Sequence, residues 1–394
     1  MDYSAAPKIP MSSPDLGEAE REAVLQVLST NYLSMGPFIR DFEQAFRDFT
    51  GAKHAIAVNS GTAGLHCCVR AAGIGSGDLV LTTPFSFVAS TNVILFEHAI
   101  PIFVDAEPQT GNMDVEQLAQ AADDLAAGGE RAKKWLPNGV TNHGPLKAIL
   151  PVDVFGQPAD YDAINAIAKE YHLKVIEDSC EALGGEFKGR KAGMLGDYGV
   201  FAFYPNKQIT VGEGGMIVTN DDEAADMMRS LRNQGRAVGD TWLQHTILGY
   251  NYRLDELSAA LGAVQMKRLP ELLQQRAQVA EWYEEGLRGL DAIQLPQLTP
   301  ACTNVSWFVY VVRLAEGLDR TNTAEKLAQR GIPTRPYFSP IHLQPYLAER
   351  FGYQRGDYPV TEMLGDRNMA IPFSGSMTKE QVDQVCKGLW DVLE

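Results

Sequence analysis

The sequence predicts an α/β fold, in which a large domain with a mostly parallel sheet between helices precedes a smaller α+β domain. Between residues 54 and 221, short β-branched apolar runs alternate with amphipathic segments, a pattern typical of a parallel sheet covered by helices. The 394 residues are enough for two domains. Apolar residues make up 45% and charged residues 21% of the chain, which excludes disordered and fibrous classes.

Seven runs are predicted to form the sheet, and several are apolar on both faces, as strands covered on both sides must be. In chain order they are His54–Asn59, Asp78–Thr83, Ile100–Asp105, Lys147–Val154, Leu173–Asp178, Gly199–Tyr204 and Gly215–Thr219. The intervening helices are predicted at Thr62–Ala72, Asp114–Ala127 and Asp160–Tyr171. The polar, glycine-broken stretch Ala121–Gly144 is predicted to be a surface excursion.

Helices are also predicted on both sides of this block. Asp15 and Glu18 have the spacing of a capping box and open a helix that runs to Leu28. After the block, one helix is predicted over residues 255–269, ending at Pro270, and a second over 271–290.

The remaining tail is α+β in character. It contains a strand-like run at Ser306–Leu314, a helix near Thr323–Arg330 and a closing helix capped by Thr378 and Gln381. We therefore expect two domains, residues 1–254 and 255–394.

Charge and cysteine content restrict the class of protein. The formal net charge is −16, so general nucleic-acid binding is not expected. The five cysteines show no CxxC spacing, which indicates reduced thiols and no zinc site. The N-terminus lacks a signal-peptide pattern, and no apolar run approaches the ~18 residues of a membrane span. We expect a cytoplasmic protein without a metal.

Three segments at the carboxyl ends of predicted strands are candidates for chemistry, because ligands bind at that edge of an α/β sheet. The first is the turn Asn59–Gly64, NSGTAG. Its small residues let the N–H groups of a helix N-terminus face an anion. The alternative is an ordinary βα turn with Thr62 near the cap. The turn has neither the Walker nor the dinucleotide-binding pattern.

The other two segments carry charged groups. Glu177 and Asp178 end a buried strand, where a carboxylate needs a partner. The partner would be a cationic heterocycle, unless the acids serve as a cap or a structural ion pair. Lys207 follows an almost uncharged strand and precedes the turn GEGG. If it is partly desolvated, its neutral amine is available for imine formation; otherwise it is a solvated loop lysine.

Together these motifs resemble the fold-type I enzymes that use pyridoxal 5′-phosphate (PLP), and in particular the DegT/DnrJ/StrS family of nucleotide-sugar aminotransferases. Asp178 follows Thr62 by 116 residues, and Lys207 follows Asp178 by 29. The resemblance extends through GPFIRDFE, NSGTAG, FSFVASTN, PVDVFGQPAD, VIEDSCEALGG, FAFYPNK, GEGGMIVT and GYNYRLDELSAALG, and so covers nearly the whole chain.

The resemblance implies roles for individual residues. Lys207 would bind the cofactor as a Schiff base, and Asp178 would pair with the pyridinium nitrogen. Further cofactor contacts are implied for Phe87, which would stack on the ring, for the backbone of Gly61, Thr62 and Ala63 at the phosphate, and for Asn251 from a neighbouring subunit. Substrate contacts are implied for Arg253, Tyr337 and His342.

Two positions depart from the family pattern. Ala202 stands where a phosphate-binding serine is usual, and Glu181 stands where Gln or His commonly meets the phenolic oxygen of the cofactor. A carboxyl group there changes the hydrogen bonds available to that oxygen. Neither change removes a reacting group, so the assignment stands with an altered cofactor affinity or Schiff-base pKa.

The resemblance thus implies a transaminase that moves an amino group from an amino acid, glutamate in particular, to a keto group of a nucleotide-linked deoxysugar. PLP would alternate with its amino form, PMP, in a homodimer with composite sites, during surface-polysaccharide or other sugar biosynthesis. Two alternatives stay open: a sugar dehydratase of the same family, which typically has His at the Lys207 position, and a non-catalytic regulatory homologue.

Overall fold

The computed structural model describes residues 9–236, 239 and 244–394. The helices are α1 Glu18–Leu28, α2 Pro37–Thr50, α3 Gly61–Ala71, α4 Ala89–Phe96, α5 Val115–Ala127, α6 Gly129–Lys133, α7 Tyr161–Tyr171, α8 Asp222–Arg232, α9 Glu256–Leu287, α10 Arg320–Ala328, α11 Pro345–Phe351, α12 Pro359–Arg367 and α13 Lys379–Leu393. Short 3₁₀ turns lie at Val154–Gly156 and Ile341–Leu343.

The strands are β1 His54–Val58, β2 Leu79–Thr82, β3 Ile100–Phe103, β4 Leu146–Leu150, β5 Lys174–Asp178, β6 Glu186–Phe187, β7 Arg190–Lys191, β8 Tyr198–Ala202, β9 Gly215–Thr219, β10 Ile293–Gln294, β11 Cys302–Asn304, β12 Tyr310–Leu314, β13 Arg335–Pro336 and β14 Asn368–Ile371. All seven runs predicted for the large sheet are strands of one sheet, in the order β1-β9-β8-β5-β4-β2-β3. Strand β9 is antiparallel to both of its neighbours and the other pairs are parallel, which confirms the predicted mostly parallel sheet.

Helices cover both faces of this sheet, as the alternation of buried residues along β1 illustrates. Ile56 and Val58 pack in a cluster with α3 and α8. Ala55 and Ala57 pack in the cluster that contains Phe42 of α2 and the first half of α9. Successive side chains of a strand point to opposite faces, so a strand between two helical layers is apolar throughout.

The C-terminal part contains a separate antiparallel sheet of order β10-β12-β14-β13. Its strand β12 begins at Tyr310, four residues later than the predicted run Ser306–Leu314. A third, small sheet pairs β11 with β6, so chain from both sides of residue 255 contributes to it. The division into domains at that residue stays a prediction.

Helix α9 corrects the prediction of two helices separated by Pro270, because it runs without a break through that proline. Its residues contact α1 and α2 as well as α13. Leu269 and Leu272, on either side of the proline, are buried. Packing on both halves outweighs the ~3 kcal/mol that a proline costs inside a helix.

Two local predictions are also wrong. The cap of α1 is Gly17, whose N–H donates to Glu20 Oε2 at 2.7 Å, whereas the Asp15 carboxylate binds Arg268 at 3.0 Å. The stretch Ala121–Gly144 is not wholly a surface excursion. It begins inside α5, where Ala121 and Leu125 are buried in the core. In both cases, contacts with residues distant in the sequence determine the structure: Asp15 binds Arg268, and Ala121 and Leu125 pack in the core.

Candidate active site

A cavity of about 780 Å³ opens at the carboxyl edge of the large sheet. Residues that follow β1, β2, β4, β5 and β8 line it, together with residues before β12 and around β13. The lining includes Ser60, Gly61, Thr62, Phe87, Asp178, Cys180, Glu181, Ala202, Tyr204, Asn206, Lys207, Phe308 and Tyr337. The predicted candidates Gly61, Thr62, Phe87, Asp178, Glu181, Ala202, Lys207 and Tyr337 therefore share one cavity.

The N-terminus of α3 forms one wall of the cavity. Ser60 is the N-cap, and its hydroxyl oxygen accepts from the Ala63 N–H at 3.0 Å. This corrects the expectation that Ala63 offers its N–H to an anion, because that group is already bound. The N–H groups of Gly61 and Thr62 lie in the first turn, where N–H groups have no carbonyl acceptor within the helix. They are therefore the donors left for an anion.

Gly61 is closely surrounded. A Cβ at this position would lie 2.8 Å from the Ala202 Cβ and 2.9 Å from the Cys180 Sγ. A side chain at residue 61 is therefore excluded, and Gly61 itself lines the cavity.

Asp178 ends β5 with its side chain at the cavity. Its Oδ1 accepts from the Cys180 N–H at 3.2 Å, and among the described residues no basic side chain forms an ion pair with it. Burial raises the pKa of this carboxyl group, an effect that the hydrogen bonds from Cys180 and the charge of Lys207 oppose. A cationic ligand would supply the missing partner, as the sequence analysis expected for one of the two acids.

The neighbouring Glu177 is structural. Its carboxylate accepts from the backbone N–H groups of Gly193, of Leu195 at 2.9 Å and of Gly196 at 3.1 Å. These donors hold the strand–loop segment 193–196 against the end of β5. The two adjacent acids thus have different functions, because successive strand residues face opposite sides of the sheet.

Glu177 shares a hydroxyl with a second buried acid. The Ser179 Oγ lies 2.9 Å from Glu177 Oε1 and 2.7 Å from Asp153 Oδ2. Burial and the neighbouring Glu177 carboxylate raise the pKa of Asp153. Ser179 has a single hydroxyl proton, which it can donate to only one of these two carboxyl groups at a time.

Lys207 lies in the loop after β8, with its side chain 12% exposed, so it is desolvated as expected. Its Nζ lies 3.7 Å from Glu181 Oε1 and 3.8 Å from the centre of the Phe308 ring. The amine is therefore held between a carboxylate and an aromatic face.

Glu181 is held by the backbone as well, since its Oε2 accepts from the Phe155 N–H at 2.9 Å. Burial raises the pKa of Glu181 to about 7, and the Lys207 charge and the Phe155 hydrogen bond limit the rise. The carboxyl group can therefore gain or lose a proton near neutral pH.

Four predicted residues do not line this cavity: Ala63, Asn251, Arg253 and His342. Asn251 is exposed, and its backbone carbonyl accepts from Asn59 Nδ2 at 3.3 Å. Arg253 donates to Asn233 Oδ1 at 3.0 Å. Neither residue lines the cavity of its own chain.

His342 corrects a prediction. Its ring is fully buried and lies 3.0 Å from Glu362 Oε1. It packs against Tyr358 with ring centres 4.8 Å apart. A histidine enclosed in this way does not contact a substrate in the cavity; the expected substrate role is wrong for this residue.

Phe308 and Asn206 are cavity residues that the sequence analysis missed. Phe308 was assigned to a strand, and no local pattern marks a ring that reaches a lysine about a hundred residues away. Asn206 is adjacent to Lys207, and adjacency was the available signal. Its hydrogen bond to Tyr337 opposes the rise that burial causes in the pKa of that phenol.

The described residues contain no cluster of His, Cys, Asp and Glu that could hold a metal ion. Within the same part of the chain, no helix is both long and apolar enough to cross a membrane. The five cysteines are free thiols.

A doubly covered sheet with a buried lysine, an aspartate and a helix N-terminus at its carboxyl edge defines a fold-type I PLP-dependent enzyme. The model of the DegT/DnrJ/EryC1/StrS aminotransferase family matches residues 14–390, and the chain belongs to this family.

Relatives agree with this assignment. GDP-perosamine synthase of Caulobacter vibrioides is 38% identical over 99% of this chain and 100% of its own length. Helicobacter pylori PseC, an aminotransferase involved in the biosynthesis of pseudoaminic acid, has a TM-score of 0.87 and 28% identity over 98% of this chain and 99% of its own. The PLP form of the putative sugar aminotransferase Spr1654 of Streptococcus pneumoniae has a TM-score of 0.86 and 25% identity over 98% of both chains.

The chain is therefore a PLP-dependent sugar aminotransferase that acts in nucleotide-sugar biosynthesis.

We predict that Asp153→Asn keeps or increases the free energy of unfolding at pH 8. A carboxyl group whose pKa is raised in the folded state destabilises folding progressively as the pH rises above its unfolded pKa. Asparagine cannot ionise, and its amide N–H can donate to the Ser179 oxygen. Urea denaturation at pH 5 and pH 8 measures the effect.

The matched variant is Glu177→Gln, which turns an amide group toward backbone donors and should cost about 3 kcal/mol at pH 8. A similar loss in Asp153→Asn at pH 8 would show that Asp153 is ionised in the folded chain.

Proposed function

We propose that this enzyme takes an amino group from an amino acid, glutamate being the expected donor, and transfers it to a keto group of a nucleotide-linked deoxysugar. The observation that carries the proposal is the Lys207 amine in the same cavity as Asp178 and the free N–H groups of α3. These are the three contacts that a pyridoxal phosphate requires.

The residues present fit this cofactor. The Gly61 and Thr62 N–H groups would hold its phosphate, and the close packing around Gly61 leaves no room for a side chain at that position. The Asp178 carboxylate, which has no basic partner in the described chain, would pair with the ring nitrogen. When bound, the cofactor supplies an electron sink for the bond-breaking steps at the substrate carbon.

Lys207 has two functions in this scheme. Its Nζ would hold the cofactor covalently, and once the amino donor has taken its place, the free amine would move a proton to and from the substrate carbon. Glu181 Oε1, 3.7 Å away, holds the amine on the cavity side of the Phe308 ring. With its pKa raised to about 7, Glu181 can also take up the proton released when the amine becomes neutral.

The overall exchange conserves atoms. The amino acid would lose its nitrogen to the cofactor, gain a carbonyl oxygen from water and leave as its 2-oxo acid. The same nitrogen would then replace the carbonyl oxygen of the sugar, which leaves as water, so that one water is consumed and one is released. A pathway to a surface polysaccharide is the proposed context.

The nucleotide is proposed to be guanosine diphosphate. The support is the name of the Caulobacter vibrioides relative, GDP-perosamine synthase, which matches this chain over its whole length at 38% identity.

A homodimer with composite sites is proposed because the cavity is short of cations. The charged residues in its described lining are Asp178, Glu181 and Glu213 with a single base, Lys207. The cofactor phosphate and a nucleotide diphosphate both need positive or amide donors. Asn251 is exposed and lies outside the cavity of its own chain. It is therefore available to contact the cavity of a neighbouring copy.

Exposed apolar side chains support the same proposal. Leu25, Leu28, Tyr32 and Leu33 are each more than half exposed, and Leu248, near Asn251, is 76% exposed. Large exposed apolar side chains of this kind are typical of an interaction surface.

Lys207 also distinguishes transfer from the two alternatives. A family dehydratase typically has histidine at this position, and a regulatory homologue would not need the lysine, Asp178 and the α3 turn together. Transfer is therefore the function that we propose.

We predict that borohydride reduction fixes the cofactor to the peptide that contains Lys207, and that Lys207→Ala abolishes both this adduct and turnover. Lys191→Ala, which changes a partly exposed lysine bonded to Glu186, serves as the control and should keep both. Peptide mass spectrometry locates the adduct. A native-level adduct in Lys207→Ala would contradict the assignment.

We predict that a GDP-linked keto-deoxysugar converts the PMP form of the enzyme back to its PLP form. This conversion should be faster than with the UDP- or dTDP-linked sugar. Absorbance of the cofactor gives the rate, and glutamate should load the enzyme in the reverse half-reaction. Equal rates with all three nucleotides would contradict the proposed nucleotide while leaving the amino transfer intact.

We predict that mixed dimers of Lys207→Ala and Asn251→Ala recover activity that neither homodimer has. In a mixed dimer, one site has both substitutions and the other has neither. With random exchange of subunits, about a quarter of the native activity should return. The control is the same mixture before exchange. If exchange is confirmed by mass spectrometry and no activity returns, Asn251 serves its own chain.

A further inference from the structure

Arg276 is a buried cation without a carboxylate partner. It lies in α9, it is 4% exposed, and among the described residues no acid forms an ion pair with it. Burial lowers the pKa of its guanidinium to about 10, so the group is still charged at neutral pH. A buried charge without an opposite charge is costly, so the groups that compensate it are informative.

Four backbone carbonyl oxygens compensate the charge. Nη2 donates to the carbonyl of Lys207 at 2.6 Å and to that of Asn206 at 3.3 Å. Nη1 donates to the carbonyls of Trp307 and Phe308, both at 3.2 Å. One planar group therefore joins two segments that are about a hundred residues apart in the sequence.

The side chains of the same two segments also contact each other in the cavity. The Lys207 Nζ lies 3.8 Å from the centre of the Phe308 ring, while the backbones of the same two residues are bound by the same guanidinium. Lys207 and Phe308 are thus fixed to each other at both ends: by Arg276 through their carbonyls and by the amine on the ring.

We propose that Arg276 is a positioning residue, which holds the backbone of Lys207 against that of Phe308 so that the amine lies on the ring and faces the cavity. This inference rests on the proposed function and adds a residue to it. Lysine cannot replace arginine here, because a single ammonium lacks the planar spread of donors that reaches both carbonyl pairs.

The test uses Arg276→Lys, which keeps the charge, and Arg276→Gln, which removes it. The matched control is Arg313→Lys, because Arg313 also bridges segments through carbonyl oxygens, those of Pro108 at 2.5 Å and Gln109 at 3.3 Å, but lines a different cavity. The rate at which added PLP becomes attached to Lys207 in cofactor-free protein is followed by borohydride trapping and peptide mass spectrometry.

We expect attachment to be about 10- to 100-fold slower in both Arg276 variants and unchanged in Arg313→Lys, since small misplacements of a reacting group cause losses of this size. A second measurement separates positioning from general structure. In a Lys207→Ala background, Arg276→Lys should leave the dissociation constant of PLP within about twofold, because the phosphate and ring contacts are elsewhere.

Attachment at the native rate in both Arg276 variants overturns the positioning role. An equal loss of PLP affinity in the Lys207→Ala background also overturns it, since the defect would then be structural. If the Arg276 variants do not fold, Phe308→Leu decides: slower attachment supports the proposal, and native attachment overturns it. If the native chain itself fails to attach PLP at Lys207, the proposed function fails and this inference fails with it.

Discussion

Asp178, Glu181 and Lys207 place two carboxyl groups and one amine in a cavity where little water screens them. Lys207 partly offsets Glu181 at 3.7 Å, whereas Asp178 has hydrogen bonds from Cys180 and no basic partner in the described chain. A charge that lacks its opposite in a low-dielectric site favours a ligand that supplies it. The proposed pairing of Asp178 with a cationic ring rests on this incomplete balance.

The surrounding structure fixes these groups mainly through the backbone. Glu177 accepts three N–H groups of the loop at 193–196, and Arg276 donates to four carbonyls around Lys207 and Phe308. Charged side chains that bind backbone groups hold loops in place without requiring a particular sequence in those loops. The reacting residues are therefore set by a charged framework behind them, which is itself out of reach of a substrate.

An enzyme of net charge −16 that acts on a nucleotide sugar must attract an anion against its overall field. The N-terminus of α3 can attract an anion locally, because its unpaired N–H groups and the helix dipole act within one turn. The described lining offers little other positive charge, and this shortage is the reason to look for donors from a second copy of the chain.

The sequence was sufficient to predict the seven strands of the large sheet and the helices on both of its faces. It was also sufficient to identify the motifs that contain Thr62, Asp178 and Lys207. Apolar periodicity is a local property, and the carboxyl ends of parallel strands meet at one edge whatever the details of packing. The departures at Glu181 and Ala202 were visible for the same reason, since they are single positions within recognisable motifs.

Contacts between distant segments were decided by the tertiary structure alone. Local rules predicted a break at Pro270, yet packing on both halves of α9 keeps the helix continuous. His342 has a sequence context like that of a substrate residue, but Glu362 and Tyr358 enclose it. The ring of Phe308 and the guanidinium of Arg276 reach Lys207 from far along the chain. The sequence by itself determined which chemistry the strand ends present, because that depends on residue type and local period. The folded chain decided which side chains surround the amine, because desolvation and contact depend on neighbours in space.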